Sequence, residues 1–296
     1  MKEKPFSKYQ ILANAVMIIW TLAIILPFIL LFMSSITDEN TLVANGYSFF
    51  PKKFSLASYS YIIKSGGQIL KAYGVSIGVT VVGTLLNVLL SALMAYPLSV
   101  KNLPGRNVMM FFVFFTMLFN GGIVPSYIMW TGTFHIKDTI FAQLLPNFLL
   151  SAWNVMMIRT YFTTSIPDGL YEAAEIDGAS QFTIFWKIVL PLGKPILVTM
   201  GTFAGLAYWN DWTNGLYYIV KNTGLYNVQN LLNQMVQNIQ FLTQSSNSNV
   251  TAAESTIPAT GIQMAIAFVA ILPIMLIFPS FQKYYAKGIA LGAVKG

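Results

Sequence analysis

The sequence predicts an all-α, polytopic membrane protein with six transmembrane helices, and three observations carry that prediction. Only 9% of the 296 residues are charged and 55% are hydrophobic, where a soluble domain carries roughly a quarter charged residues. So few charges cannot cover a water-soluble globule of this size, and a lipid-facing surface removes the need. Six apolar stretches, residues 11–33, 72–100, 107–131, 139–158, 195–220 and 259–279, are long enough to cross a bilayer, which takes ~20 helical residues. The single charged residue inside them is Asp211, in the fifth stretch.

Orientation follows from the basic residues in the connections. Lys2, Lys4, Lys8, Lys101, Arg106, Arg159, Lys187, Lys194, Lys283, Lys287 and Lys295 fall on one side; Lys52, Lys53, Lys64, Lys71, Lys137 and Lys221 fall on the other. The larger set includes both ends of the chain, so both termini of a multi-pass chain are expected in the cytoplasm. The same rule accounts for the net charge of +7. With no basic stripe and no nucleic-acid motif, that charge does not point to nucleic acid. The first stretch follows a basic start, as a signal peptide would. Its apolar run is longer than an h-region and no A-x-A-like site follows, so it is expected to stay as a helix.

Several chemistries find no residues. There is no cysteine, which excludes disulfides and thiolate sites. The lone His135 has no carboxylate or histidine at metal-ligand spacing, so no metal is expected. No nucleophile–base set is visible, and the chain is not expected to be an enzyme. No G-x-x-x-x-G-K-[ST] occurs; Gly193-Lys194 is preceded by Ile188 where the loop needs glycine and is followed by Pro195. No cofactor is expected on this chain.

The connections divide the chain into residues 1–71, a first helix with an external loop; 72–282, a core of the remaining apolar stretches; and 283–296, a cytoplasmic tail. The external segment 221–258 holds the run Gln244-Ser245-Ser246-Asn247-Ser248-Asn249, a composition expected to bury no core and to stay loose. The cytoplasmic segment 159–195 is more informative. It carries four of the ten acidic residues, Asp168, Glu172, Glu175 and Asp177. Ser165, Pro167 and Asp168 mark a helix start, and Gly178 a stop. Ser180 can cap a second short helix through Lys187, with Phe182, Phe185, Trp186 and Val189 on one apolar face. Pro191 and Pro195 are expected to break the chain before the fifth stretch. In the first of these helices Ala173 and Ala174 leave the exposed side bare, so a partner's groove could approach, and Glu172 offers it a carboxylate. A plain solvated surface helix fits the same spacing.

The run Glu172-Ala173-Ala174, then Asp177-Gly178-Ala179, Leu190-Pro191 and Pro195, resembles the EAA loop of binding-protein-dependent ABC importer permeases. Trp209-Asn210-Asp211-Trp212 and the ending from Lys287-Gly288 to Gly292 and Gly296 resemble the maltose-type carbohydrate permeases, more closely those for complex oligosaccharides. The likeness covers the chain from the second apolar stretch onward. It implies the type I importer permease fold, with a second homologous permease subunit, two ATP-binding subunits and an extracytoplasmic solute-binding protein as partners. ATP and Mg would sit on the ATPase. Glu172, Ala173, Ala174, Asp177 and Gly178 would couple this chain to that ATPase, and the C-terminal tail would touch it.

Polar groups inside spans are costly and face a cavity or a partner. Asn120-Gly121-Gly122 with Pro125 interrupts the third stretch; Pro146-Asn147, Trp153 and Asn154 mark the fourth; Trp209, Asn210, Asp211 and Trp212 mark the fifth. Asn120 and the 209–212 run could line a carbohydrate path, while interfacial anchoring and helix packing fit the same residues. A carrier from another class, ion-coupled through Asp211, is the alternative.

Overall fold

The computed structural model describes residues 8–64, 66–246 and 259–293. Among them it is helical, with no strand and one isolated bridge between Thr37 and Phe54. The chain forms two bodies, residues 1–69 with 232–273, and residues 70–231 with 274–296.

In the first body, α1 (Lys8–Ser35) is apolar all round and exposed along almost its whole length, which suits a helix solvated by lipid. A loop carrying α2 (Glu39–Asn45) and α3 (Ala57–Lys64) follows. It is held by the Lys53–Asp38 ion pair and by the Ser35 and Tyr59 hydroxyls at 2.8 Å. Glu39 reaches further along the chain. Its carboxylate accepts from the backbone N–H groups of Thr260 (2.9 Å) and Gly261 (2.8 Å). These are orphan donors at the start of the last helix, where a negative charge suits the dipole.

The second body opens within α4 (Gly66–Ser99), from residue 70 on, and continues with α5 (Arg106–Leu118) and α6 (Ile123–Ile128), the last continued by a π turn over Met129–Thr133. The third apolar stretch breaks where its glycines are: α5 and the helix after it are bent by 109°. Gly122 sits there at φ 86°, a conformation a side chain would resist. The fourth stretch is no single helix. It consists of α7 (Phe141–Leu144), an irregular segment and α8 (Ala152–Ser165). Pro146 lacks an N–H, and Asn147 at φ 67° turns the chain away from any helix. The all-α membrane fold is as expected, while the count of six transmembrane helices is not exactly matched. Among the described residues three helices are long and apolar enough to cross alone, and five spans result if each bent pair counts as one.

After α8 come α9 (Asp168–Ile176), α10 (Gln181–Ile184), a π turn over Phe185–Val189, α11 (Leu190–Leu192) and α12 (Lys194–Trp209). Pro191 does not break the chain as expected. A π turn precedes it, a known way to relieve a helix whose hydrogen-bond ladder is interrupted. The break falls at Gly193, where Gln181–Leu192 and α12 are bent by 78°. α13 (Thr213–Tyr218) completes the fifth stretch after an interruption.

The segment expected to be loose contains α14 (Val228–Ser246). Val228 and Leu231 are buried, and Leu232 and Met235 pack against Ile262 and Ile266 in the first body. The reading from composition missed that i, i+3, i+4, i+7 stripe; residues 247–249 of its polar run lie outside the described residues. The last helix, α15 (Ala259–Ala293), carries its backbone helix through most of the expected tail. Residues 294–296 and 1–7 lie outside the described residues.

Candidate coupling loop and intramembrane polar cluster

The segment between α8 and α12 begins with Pro167 in an extended conformation, and Asp168 opens α9, where its charge suits the helix dipole. The end of α9 is closed by backbone alone. The Gly178 N–H donates to Glu175 O at 3.0 Å and the Ala179 N–H to Ala174 O at 2.9 Å, the paired bonds of a Schellman cap. Gly178 takes the left-handed conformation this closure demands, at φ 75°. Ser180 then caps α10 by accepting from the Thr183 N–H at 3.2 Å.

One face of α9 is anchored. Tyr171 stacks on Tyr96 of α4, with ring centroids 6.5 Å apart, and burial pushes its hydroxyl up to about 12. Gln181 ties the two short helices together: its Nε2 donates to Glu175 Oε1 at 2.8 Å and its Oε1 accepts from the Tyr96 hydroxyl at 2.6 Å. Lys101, in the turn after α4, pairs with Asp168. That pair is exposed at both ends and worth a few tenths of a kcal/mol to ~1 kcal/mol. It also puts the 100–105 turn and α9 on the same side of the protein.

The placement of the predicted residues is uneven. Glu172, Ala173, Asp177 and Gly178 are exposed. Ala174 is not: it is 8% exposed and belongs to the core with Ile184, Phe185 and Val189. The bare outer side assigned to both alanines therefore belongs to Ala173 alone. Ala174 is small because α9 lies close on the structure beneath it. The expected apolar face of Phe182, Phe185, Trp186 and Val189 also divides. Phe185 and Val189 are buried, while Phe182 and Trp186 face outward. Ile176, at 86% exposed, is an outward apolar group that the sequence reading passed over.

The intramembrane polar residues do not gather into one site. Asn120 bonds locally, its Oδ1 accepting from the Gly122 N–H at 2.8 Å. Among the described residues no hydrogen bond or ring contact joins it to 209–212. Within that run exposure alternates: Trp209 and Asp211 are buried, Asn210 and Trp212 exposed. Asp211 Oδ1 accepts from Thr213 N (2.9 Å), Thr213 Oγ1 (2.7 Å) and Asn214 N (3.2 Å), so this carboxylate, one residue before the N-cap position of Trp212, satisfies the first N–H groups of α13 and caps it from there. Its carbonyl accepts from Asn227 Nδ2 at 2.6 Å.

The end of α7 and the irregular backbone after it, residues 144–151, are served by donors from neighbouring elements. Tyr208 Oη donates to Leu144 O (2.9 Å), Asn214 Nδ2 to Pro146 O (3.1 Å) and Asn87 Nδ2 to Phe148 O (2.6 Å). Non-helical backbone at membrane depth persists only where protein satisfies it. Asn87 in this scaffolding, and a second buried set of Gln143, Asn227 and Asn230 that bonds Leu225 O, Asp211 O and Trp212 O, were missed from the sequence. The signal was present for Asn87, a lone amide in the middle of an apolar stretch.

Comparisons with known proteins identify the family. The family model described as "Binding-protein-dependent transport system inner membrane component" matches residues 72–291. Protein LplC of Bacillus subtilis is 36% identical over 273 residues, 92% of this chain and 90% of that protein. The polygalacturonan/rhamnogalacturonan transport system permease protein YtcP of the same organism is 36% identical over 288 residues, 97% of this chain and 98% of that protein. A solved chain from a bacterial ABC transporter involved in the import of the acidic polysaccharide alginate superposes with a TM-score of 0.78. It is 25% identical and covers 96% of this chain and 100% of its own length. With the family model spanning most of its length and two full-length relatives above a third identity, the chain belongs to the binding-protein-dependent transport system inner membrane components.

Proposed function

We propose that this chain is one of two homologous permease subunits of an ATP-driven carbohydrate importer, and that oligosaccharides are its cargo. The observation that carries this is α9: a short helix on the 100–105 side, closed by Gly178, presenting Glu172, Ala173 and Ile176 outward. Glu172 supplies a carboxylate for a basic group in a cleft of a separate ATPase. Ala173 lets that cleft approach, and Ile176 gives it an apolar contact. The named cargoes of two relatives, polygalacturonan/rhamnogalacturonan and alginate, support carbohydrate. ATP and Mg belong to the two ATPase subunits, and an extracytoplasmic binding protein delivers the sugar. Asn210 and Trp212, the exposed members of their run, are the ones available to a passing sugar, with Asn120 a third. Asp211 is engaged in capping α13, and nothing in the family supports ion coupling through it.

In this reading both termini, α9 and the 159–195 segment are cytoplasmic, residues 72–282 are the permease core and residues 283–296 a tail against the ATPase. The experiment is reconstitution with the cognate partners in proteoliposomes. Uptake of oligosaccharide should follow internal ATP and the binding protein, and Glu172→Ala should lower both uptake and stimulated hydrolysis. Uptake driven by a proton or sodium gradient without ATP would overturn the proposal. Because the chain lacks cysteine, Ser180→Cys and Lys221→Cys report sidedness: the first should label only after permeabilisation, the second from outside.

A further inference from the structure

Two arginines meet at one end of the seam between α5 and α8 with no carboxylate between them. Arg106 opens α5 and stands one turn before Met110 and two before Val113, which pack into the core that also holds Val155, Ile158 and Phe162 of α8. Arg159 follows Ile158, and its Nε donates to the Leu98 carbonyl at 3.2 Å. Both side chains are half-buried, and the charge of Arg106 acts on Arg159. Arg106 Nε is buried without a partner. The acids of this side do not serve them: Asp168 pairs with Lys101 and Glu175 accepts from Gln181. Among the described residues neither arginine has an ion pair.

Two half-buried guanidinium groups repel unless an anion lies between them, and a planar fork of donors matches phosphate oxygens. In the first turn of α5, a 13-residue helix, the Arg106 N–H donates to Leu103 O, which leaves the N–H groups of Asn107 and Val108 without a helical partner. Immediately beyond, the same helix turns Val108, Phe111 and Phe112 outward, all well exposed. A cationic pocket at the edge of an exposed apolar wall is what a phospholipid presents in reverse. We propose that Arg106 and Arg159 hold the phosphate of an anionic phospholipid in the leaflet on the α9 side, its acyl chains lying along Val108, Phe111 and Phe112. The bound lipid neutralises the pair and pins the α5–α8 seam beside the loop that carries α9.

The test uses the assembled importer, delipidated and titrated with phosphatidylglycerol, with phosphatidylcholine, or with inorganic phosphate. Native mass spectrometry reads bound lipid, and the thermal midpoint reads stabilisation. Phosphatidylglycerol should bind in preference to phosphatidylcholine and raise the midpoint. Arg106→Gln and Arg159→Gln should each weaken it about fivefold, as one interfacial cation does, and the double variant should lose the preference, while Lys137→Gln changes nothing. Should the glutamine variants fail to assemble, wild-type binding still decides: equal occupancy by the two lipids overturns the site. An unchanged preference in the double variant also overturns it. Inorganic phosphate stabilising as well as phosphatidylglycerol makes this a soluble-anion site and overturns the lipid assignment. Loss of the ATPase with normal lipid binding gives the arginines to the partner subunit instead.

Discussion

Asn154 donates its side-chain amide to the Asn87 oxygen at 2.8 Å, and Asn87 donates in turn to the Phe148 carbonyl at 2.6 Å. Residues far apart in sequence thus satisfy a stretch of backbone that could not otherwise exist at membrane depth. An unsatisfied buried group costs about 1–3 kcal/mol. Asn87→Leu strands both the Phe148 carbonyl and the Asn154 amide, and should lower the thermal midpoint of the purified complex measurably. Adding Asn154→Leu should cost less than its single effect, because its partner is already gone. Additive losses would mean the pair is not coupled.

Asp211 separates scaffolding from transport. Asp211→Asn keeps an oxygen for the Thr213 and Asn214 N–H groups and should assemble normally. Asp211→Ala removes the cap, worth about 1 kcal/mol, and should lower yield or stability together with uptake. Trp212→Ala and Asn210→Ala, on the exposed side, should instead reduce uptake in a complex of normal stability. If those two variants transport at wild-type rates, the 209–212 run is structural throughout.

On the proposed function, Glu172 and Ala173 face the ATPase while Ala174 packs inward. Glu172→Gln should weaken ATPase retention, a charge-assisted contact of about 1.5–3 kcal/mol, with the spans intact. Ala173→Trp should hold the partner off the helix in the same way. Ala174→Trp should fail earlier, by overpacking the core around Ile184 and Phe185, and show as lost expression. Normal expression of Ala174→Trp with lost hydrolysis would restore that alanine to the docking face.

Gly178 should tolerate asparagine better than valine. A non-glycine residue in the left-handed region costs about 1–2 kcal/mol, least for asparagine. Gly178→Val should therefore loosen the end of α9 and reduce binding-protein-stimulated hydrolysis, while the ATPase alone keeps its basal rate. Equal activity of the two variants would show that the cap geometry does not matter to coupling.

Asp138 ties the loop before α7 to the segment after α13. Its Oδ1 accepts from the N–H groups of Val220 (2.6 Å), Lys221 (2.7 Å) and Asn222 (3.2 Å). These bonds, that of Val220 first, hold its carboxyl below the ordinary carboxylate range. The lowered value sets the sign: the contribution is complete above about pH 4, the ordinary aspartate value, and disappears as pH falls through the native value. Hydrogen exchange at Val220 and Lys221 should accelerate, relative to the intrinsic rate, only on strong acidification. In Asp138→Ala the two amides should exchange fast at neutral pH as well.

Much of this protein follows from its sequence alone, because lipid leaves a chain few choices. Apolar runs such as residues 11–33 and 72–100 must be helices, since only a helix satisfies its own backbone in hydrocarbon. Gly178 ends α9 because a left-handed cap favours glycine, and Glu172-Ala173-Ala174 to Gly178 is a long enough pattern to name the family. The tertiary structure decided what periodicity cannot express. It broke the fourth stretch at Pro146-Asn147, which is stable only because Tyr208, Asn214 and Asn87 arrive from elsewhere to bond Leu144, Pro146 and Phe148. It turned Ala174 inward and left Ala173 and Ile176 outside, and it made Asp211 a cap. Each of these depends on which side chains other elements bring within hydrogen-bond or van der Waals reach, and that proximity is a property of packing, not of spacing along one strand of sequence.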